Sequence, residues 1–76
     1  MDTLVGKYFI RPQSGYRAVH RFGEALPMGK IQIVDVKGIQ IIMSVPLEQA
    51  QEHLDVGNWK LLSADEIVLY KLRGDI

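Results

Sequence analysis

The chain contains no cysteine, which excludes disulfide bridges, thiolate metal sites and a cysteine nucleophile. It also has only two histidines, so neither a structural metal nor any other cofactor is expected. A chain of 76 residues is one domain. Because so small a domain buries only roughly 60% of its unfolded surface, its stability must come from a well-packed core or from self-association.

Long apolar runs are absent as well. No stretch approaches the ~20 residues that a membrane-spanning helix needs. The first residues, Met-Asp-Thr-Leu-Val-Gly, lack the basic region and the apolar segment of a secretory signal. These absences, together with the missing cysteines, predict a protein without a membrane partner and with a cytoplasmic location.

The sequence lacks the common motifs of catalytic sites. Ser14, Ser44 and Ser63 all lie outside a Gly-x-Ser-x-Gly elbow. The glycines stand singly, and no phosphate-binding glycine motif is present. Glu48 and Glu52 share one predicted helix face, which is typical of a solvated surface. No catalytic or metal-ligating residue is therefore nominated, and the chain is predicted not to be an enzyme.

What the sequence does contain is ordinary for a globular domain, with 47% hydrophobic and 24% charged residues. The formal net charge is zero but unevenly distributed. Residues 1–30 carry five basic and two acidic side chains, net +3, whereas residues 31–76 carry four basic and seven acidic side chains, net −3. Such a dipolar surface favours steering of partners or antiparallel pairing of copies.

Alternating apolar residues predict two hairpins. Residues 4–11 and 16–22 form the first, joined by the Pro-Gln-Ser-Gly turn at 12–15. Residues 23–29 are predicted to be a loop. Residues 30–36 and 39–45 form the second hairpin around Lys37-Gly38. A change of phase at Ile33 and Val34 predicts either a bulge or a strand buried on both faces.

The remaining chain predicts one helix and two strands. The helix covers about 46–56, with Pro46 at its first position and Gly57 as its left-handed cap. Residues 59–62 and 66–72 are predicted strands. The element order ββββαββ predicts an α+β fold, mostly antiparallel: a small, partly open SH3-like barrel or a curved sheet of five or six short strands.

The same patterns predict which side chains form the core. Trp59 is expected to pack beside the end of the helix. The other expected core residues are aliphatic side chains or Met on the inner faces of the strands and the helix: Ile10, Ala18, Ile31, Ile33, Ile39, Ile41, Met43, Leu47, Ala50, Leu54 and Leu69.

One group of side chains indicates a binding site. Basic and aromatic residues interleave in the first hairpin, as in sheets that stack single-stranded nucleic acid on aromatic rings and hold its phosphates with arginine. The competing interpretation places the aromatic face in the core and the arginine face in solvent. The candidate binding residues are Arg11, Tyr16, Arg17, His20 and Arg21.

Free strand edges favour a different function. A partly open sheet leaves strands that can pair with another chain. Phe9 and Ile42 are out of phase with their apolar neighbours, so they need cover from within the chain or from a partner. The leading prediction is therefore a protein-interaction or assembly module that binds itself or another protein, with nucleic-acid binding as the alternative.

Residues 43–62 carry one recurrent supersecondary pattern: a strand, Val45-Pro46, an amphipathic helix, Gly57 and a further strand. This quarter of the chain resembles small bacteriophage and mobile-element proteins. The resemblance implies an accessory protein of a mobile element, and no functional residue is carried over from it.

Overall fold

The computed structural model describes residues 4–12 and 19–76, which fold into a five-stranded sheet with two helices. The elements are β1 (Tyr8–Ile10), β2 (His20–Leu26), a 3-10 turn (Pro27–Gly29), β3 (Lys30–Val34), β4 (Ile41–Pro46), α1 (Leu47–Asp55), β5 (Lys60–Leu61) and α2 (Ala64–Leu72).

The sheet is antiparallel throughout, in the order β4-β3-β2-β1-β5. The α+β class predicted from the sequence is confirmed. The sheet does not close into a barrel, so of the two predicted architectures, an SH3-like barrel or a curved sheet of five or six strands, the barrel is not confirmed. β4 and β5 lie at opposite ends of the sheet. α1 follows β4 directly and packs against one face of the sheet. The end strands β4 and β5 do not pair with each other.

Both predicted strand pairings are present among the described residues. In the first, Tyr8 pairs with Arg21. In the second, Ile33 pairs with Met43 but Val34 pairs with Ile41, which is the predicted bulge. The predicted turn at 13–15 and the start of the second strand at 16–18 lie outside the described residues.

The segment 23–29, predicted to be a loop, is mostly strand. β2 continues to Leu26, and only the turn at Pro27–Gly29 separates it from β3. The register shifts between Phe22 and Ala25, so a second irregularity lies close to Gly23. Gly23 therefore lies at an irregularity within β2 and does not end the strand.

Helix α1 agrees with the sequence prediction. Pro46 is the N-cap and Leu47 is the first helical residue, so the helix begins one residue later than predicted. Gly57 follows the C-cap with φ of 84°, the left-handed conformation that glycine adopts without strain. The helix packs on the sheet through Ala50, which is fully buried, and through the partly buried Leu47 and Leu54.

The last element is a helix, which corrects the prediction of a strand at 66–72. A capping box starts it: the Ser63 hydroxyl accepts from the Glu66 N–H (3.2 Å), and the Glu66 carboxylate accepts from the Ser63 N–H (3.1 Å). The β-branched residues at 67 and 68 gave a strand-like composition. The reciprocal cap and the packing of Ile67 and Tyr70 on the sheet outweigh that preference.

The main core lies between α1 and one face of the sheet. Phe9, Phe22 and Ile31 are completely buried there. The ring of Phe9 stacks on Phe22 (4.4 Å between centroids) and on Trp59 (4.9 Å). Trp59 stacks in turn on His53 of α1 (4.4 Å), so it packs at the helix end as predicted. Phe9, which was out of phase with its neighbours, is covered from within the chain.

A smaller cluster lies on the opposite face of the sheet. Tyr70 and Ile67 of α2 pack there with Tyr8, Ile10 and other apolar side chains. Since Tyr8 neighbours the main-core residue Phe9 in an extended strand, the two side chains point to opposite faces. α2 therefore covers the β1 side of this face, and no described helix covers the half formed by β2, β3 and β4.

Four predicted core residues are exposed instead. Ile39, Ile41 and Met43 are 80%, 58% and 38% exposed, because they lie along the end strand of the sheet, where among β4 residues only Val45 is buried. Leu69 is 54% exposed, because the segment is a helix that packs on the sheet through Ile67 and Tyr70, and Leu69 lies outside that contact. Ala18 is outside the described residues.

No helix within residues 4–12 and 19–76 has the length and apolar character needed to cross a membrane.

Candidate interaction surfaces

Two of the residues nominated in the first hairpin bind each other. Arg11 Nη2 lies 3.0 Å from His20 Nε2. A guanidinium has no acceptor, so the imidazole must accept at Nε2 and carry its hydrogen on Nδ1. His20 is only 7% exposed, and its ring lies 5.6 Å from that of Phe9. This pair therefore joins the start of β2 to the end of β1.

Arg21 is placed differently. Its guanidinium lies over the Tyr8 ring, 5.7 Å from the centroid, on the open face of the sheet. Across the described ranges, no carboxylate approaches it within ion-pair distance. The side chain is half-buried. The other two nominated residues, Tyr16 and Arg17, lie outside the described residues.

The aromatic rings of the first hairpin are mostly inside the protein. Phe9 and Phe22 have no exposed surface. Tyr8 is half-buried beneath Arg21. Base stacking needs an exposed ring face, so the described part of this hairpin offers little for it.

A second surface, which we call the β4 edge surface, consists of Ile39, Ile41, Ile42 and Met43. Ile42, at 45%, is exposed like the other three. β4 is the last strand of the sheet on its side, so one of its backbone edges has no strand partner within residues 4–12 and 19–76. Residues 38–46 contain no charged side chain. The sequence predicted that Ile42 needs cover, but it assigned the other three to the core.

The turn that leads into β4 is held rigidly. Asp35 Oδ1 accepts hydrogen bonds from the N–H groups of Ile39 (2.7 Å) and Gln40 (3.1 Å). The bond from Gln40 is the largest cause that lowers the pKa of the Asp35 carboxyl below its ordinary value, and desolvation opposes it only in part. The exposed Ile39 is therefore presented on an ordered turn.

A third feature is a shallow depression of about 460 Å³ on the open half of the sheet face. We call it the sheet-face depression. Its lining combines one cation, one amide, one carboxylate and apolar walls, contributed by Val5, Gly6, Arg21, Phe22, Gly23, Glu24, Gln32, Val34, Gly38, Ile39 and Ile41. Ile39 and Ile41 belong to this lining and to the β4 edge surface, so the two features adjoin.

The outward side of α2 is a further apolar surface. Val68, Leu69 and Leu72 are 57%, 54% and 81% exposed. Val68 and Leu72 are four residues apart and therefore neighbours on one helix face. The sequence did not single out this surface, because the segment was predicted to be a strand.

The part of the chain that the structure describes contains no group of three His, Asp or Glu side chains that could hold a metal ion. No protein-family model, curated protein or solved structure matches this chain, so its own geometry carries the functional argument.

Proposed function

We propose that this protein is a non-enzymatic interaction module that adds a strand from another chain, first of all a second copy of itself, to the free edge of β4. The observation that carries the proposal is the β4 edge surface: four exposed large apolar side chains on the end strand and on the turn before it, in a stretch of the chain without a charge.

The physical reason is that an end strand presents unpaired backbone N–H and C=O groups as a template for another strand. Soluble proteins commonly guard such edges with Lys, with inward-pointing charges or with proline. Here the only guard is Pro46, at the end of β4. Because the Asp35 turn holds Ile39 in place, little ordering of the surface is needed on binding.

Self-pairing is favoured by the charges at the two ends of β4. Lys37 precedes the strand and Glu48 follows it, and both are exposed. An antiparallel pair with its twofold axis beside Ile42 brings the turn that carries Lys37 of each copy toward the start of α1, which carries Glu48, of the other copy. The centre of that pair brings the exposed isoleucines together. The same arrangement places two pairs of opposite charges at its ends.

Nucleic-acid binding through the first hairpin is the second candidate. Arg21 favours it, because its cation has no carboxylate partner among the described residues. The buried rings of Phe9 and Phe22 weigh against it. An accessory role in a phage or mobile element remains a prediction of the 43–62 pattern, and it is compatible with either function.

The test is the mass in solution, measured by light scattering coupled to size exclusion at several protein concentrations and at low and high salt. We expect a dimer for the native chain. Ile41→Lys places a charge on the β4 edge surface and should give a monomer. Leu72→Lys is the matched control: it makes a similar change on α2, at a more exposed site, and should leave the dimer intact.

The charged ends give a second arm. K37E and E48K should each weaken the dimer at low salt by opposing like charges, and an equimolar mixture of the two variants should form a mixed dimer. A monomeric native chain at all concentrations would refute self-pairing. Loss of the dimer with Leu72→Lys but not with Ile41→Lys would move the interface to α2 and refute the role of β4.

A further inference from the structure

We infer that the sheet-face depression is a binding site for a small monocarboxylate with an apolar body, anchored by Arg21. This inference does not require strand pairing at β4, since its anchor Arg21 lies on the face of the sheet, although Ile39 and Ile41 belong to both surfaces.

The first argument is the state of Arg21. A guanidinium offers five N–H donors in a planar fork, and its best partner is a carboxylate bound through two parallel hydrogen bonds. The side chain is half-buried, yet within the described residues its only recorded interaction is the contact with the Tyr8 ring. Water meets such donors less well in a depression than on an open surface, so an anion is the expected partner.

The second argument is that the fork is held in place. Tyr8 supports one side of the guanidinium. Two turns approach it at glycines with positive φ, Gly6 (81°) and Gly38 (73°). A Cβ added at Gly38 would lie 3.3 Å from Nη1, and one at Gly6 would lie 3.9 Å from Nη2. Because Gly6 and Gly38 carry no side chains, a ligand can reach the guanidinium between the two turns.

The third argument concerns the walls. Val34 is almost fully buried, and Ile39 and Ile41 are exposed on the side of the depression nearest β4. Gln32 adds an amide that can donate to a carboxylate oxygen. Gly23 keeps part of the floor as bare backbone, because a Cβ there would lie 3.0 Å from Val34 Cγ1. The volume of about 460 Å³ falls within the range of small-ligand sites, about 300–1,000 Å³.

The charge of the lining decides between classes of anion. Among the described residues that line it, Arg21 is the only cation and Glu24 the only carboxylate. A phosphate monoester approaches two negative charges, more than one arginine neutralises, and Glu24 would repel it more strongly than a monoanion. A single carboxylate on a short alkyl chain matches one fixed cation beside apolar walls.

The experiment is a titration of the isotope-labelled chain with hexanoate, followed through the amide resonances of Gly23, Gln32 and Gly38. Acetate tests the contribution of the apolar body, and hexylammonium tests the sign of the charge. We expect saturable shifts confined to the depression with hexanoate. Binding of acetate should be at least roughly tenfold weaker, because each buried CH₂ contributes about 0.8 kcal/mol. Hexylammonium should cause no shifts there.

Variants test the anchor. Arg21→Gln should abolish the shifts, and Arg21→Lys should weaken binding several-fold, because it keeps the charge but loses the fork. Arg73→Gln is the matched control, since Arg73 also lies over a tyrosine ring, that of Tyr70 at 5.4 Å, but far along the chain. It should bind hexanoate like the native chain. The Arg21→Lys spectrum checks the fold if Arg21→Gln proves unstable.

Three results would overturn the inference: equal affinity for hexanoate and hexylammonium, shifts spread outside the depression, or hexanoate binding by a folded Arg21→Gln variant that equals that of the native chain. Each can be obtained whether the native chain is a dimer or a monomer, so failure of this site and failure of strand pairing are told apart.

Discussion

Removal of the Ser63 hydroxyl should destabilise the protein through α2. In the Ser63→Ala variant the Glu66 N–H loses its side-chain acceptor, and the reciprocal cap is broken. Substitution of a serine N-cap by alanine costs about 1 kcal/mol, within a range of ~0.5–2 kcal/mol. For a domain of this length, 1 kcal/mol lowers the melting temperature by about 4–8 °C.

The loss should extend beyond the first turn of the helix. α2 has nine residues, too few to persist without its contacts to the rest of the fold. Tyr70 and Ile67 hold it against the Tyr8 face of the sheet. Fraying from Ser63 should therefore loosen that cluster, and thermal unfolding followed by circular dichroism should show a lower midpoint together with reduced helical signal.

Acidification tests the other half of the cap. The hydrogen bond from the Ser63 backbone N–H is the largest cause that lowers the pKa of Glu66 below its ordinary value, and Lys60, 3.5 Å away, acts in the same direction. A lowered carboxyl pKa stabilises the fold fully above the unfolded-state pKa. That contribution disappears as the pH falls through the lower, folded-state pKa. Glu66→Gln keeps an oxygen acceptor but cannot titrate, so the difference in stability between the two chains should shrink in acid.

Ser44→Ala is the matched control, since Ser44 is an exposed serine on β4. Its melting temperature should remain near that of the native chain. If Ser63→Ala melted at the native temperature, or if Ser44→Ala lowered the midpoint as much, the cap would not hold α2 and the reasoning would be refuted.

Three further predictions concern the core and the turn before β4. Ala50→Leu should cost about 1–3 kcal/mol by overpacking the contact between α1 and the sheet, and an unchanged urea midpoint would contradict this. Phe22→Ala should cost ~3–5 kcal/mol out of the roughly 4–11 kcal/mol expected for this length, so the urea midpoint should fall far below that of the native chain. A variant that stayed fully folded in ~3 M urea would argue against a central role for that ring. Asp35→Ala removes the acceptor of the Ile39 and Gln40 N–H groups. Hydrogen exchange at both amides should accelerate, and unchanged protection would show that the turn is held by other contacts.

Local pattern was sufficient to predict much of the sheet and one helix. Alternation predicted the two strand pairings. The phase change at Ile33 and Val34 predicted either a bulge or a strand buried on both faces, and a register shift is present there. Helix-forming residues between Pro46 and Gly57 predicted α1 within one or two residues. These features depend on neighbours in the sequence, which is why the sequence carries them.

The final helix could have been predicted, because its signal was present in the sequence. Ser63 followed three residues later by Glu66, before an apolar run, is a capping-box pattern. The β-branched Ile67 and Val68 favour a strand and conflict with this cap. A strand prediction does not place Val68, Leu69 and Leu72 together on the outward side of a helix, so it does not indicate this apolar surface.

The exposure of β4 could not be predicted from alternation. Alternation shows that Ile39, Ile41 and Met43 share a phase, but burial depends on which strand lies at the end of the sheet. That order follows from β5 pairing with β1 and not with β4, a contact between distant parts of the chain. The sheet-face depression could not be predicted from the sequence either, because its shape depends on how far α2 reaches across the face of the sheet.

The pairing of β1 with β5 also has a kinetic consequence. Phe9 lies opposite Leu61, so the two partners are 52 positions apart in the sequence (61 − 9). The strands from β1 to β4 pair between consecutive elements, whereas this last contact requires a long loop to close, which slows folding. During synthesis the outer edge of β1 stays open until residues 60–61 have left the ribosome. A nascent chain arrested earlier would therefore expose the edge of β1, the strand that carries the core residue Phe9, and it should be most prone to aggregate at that stage.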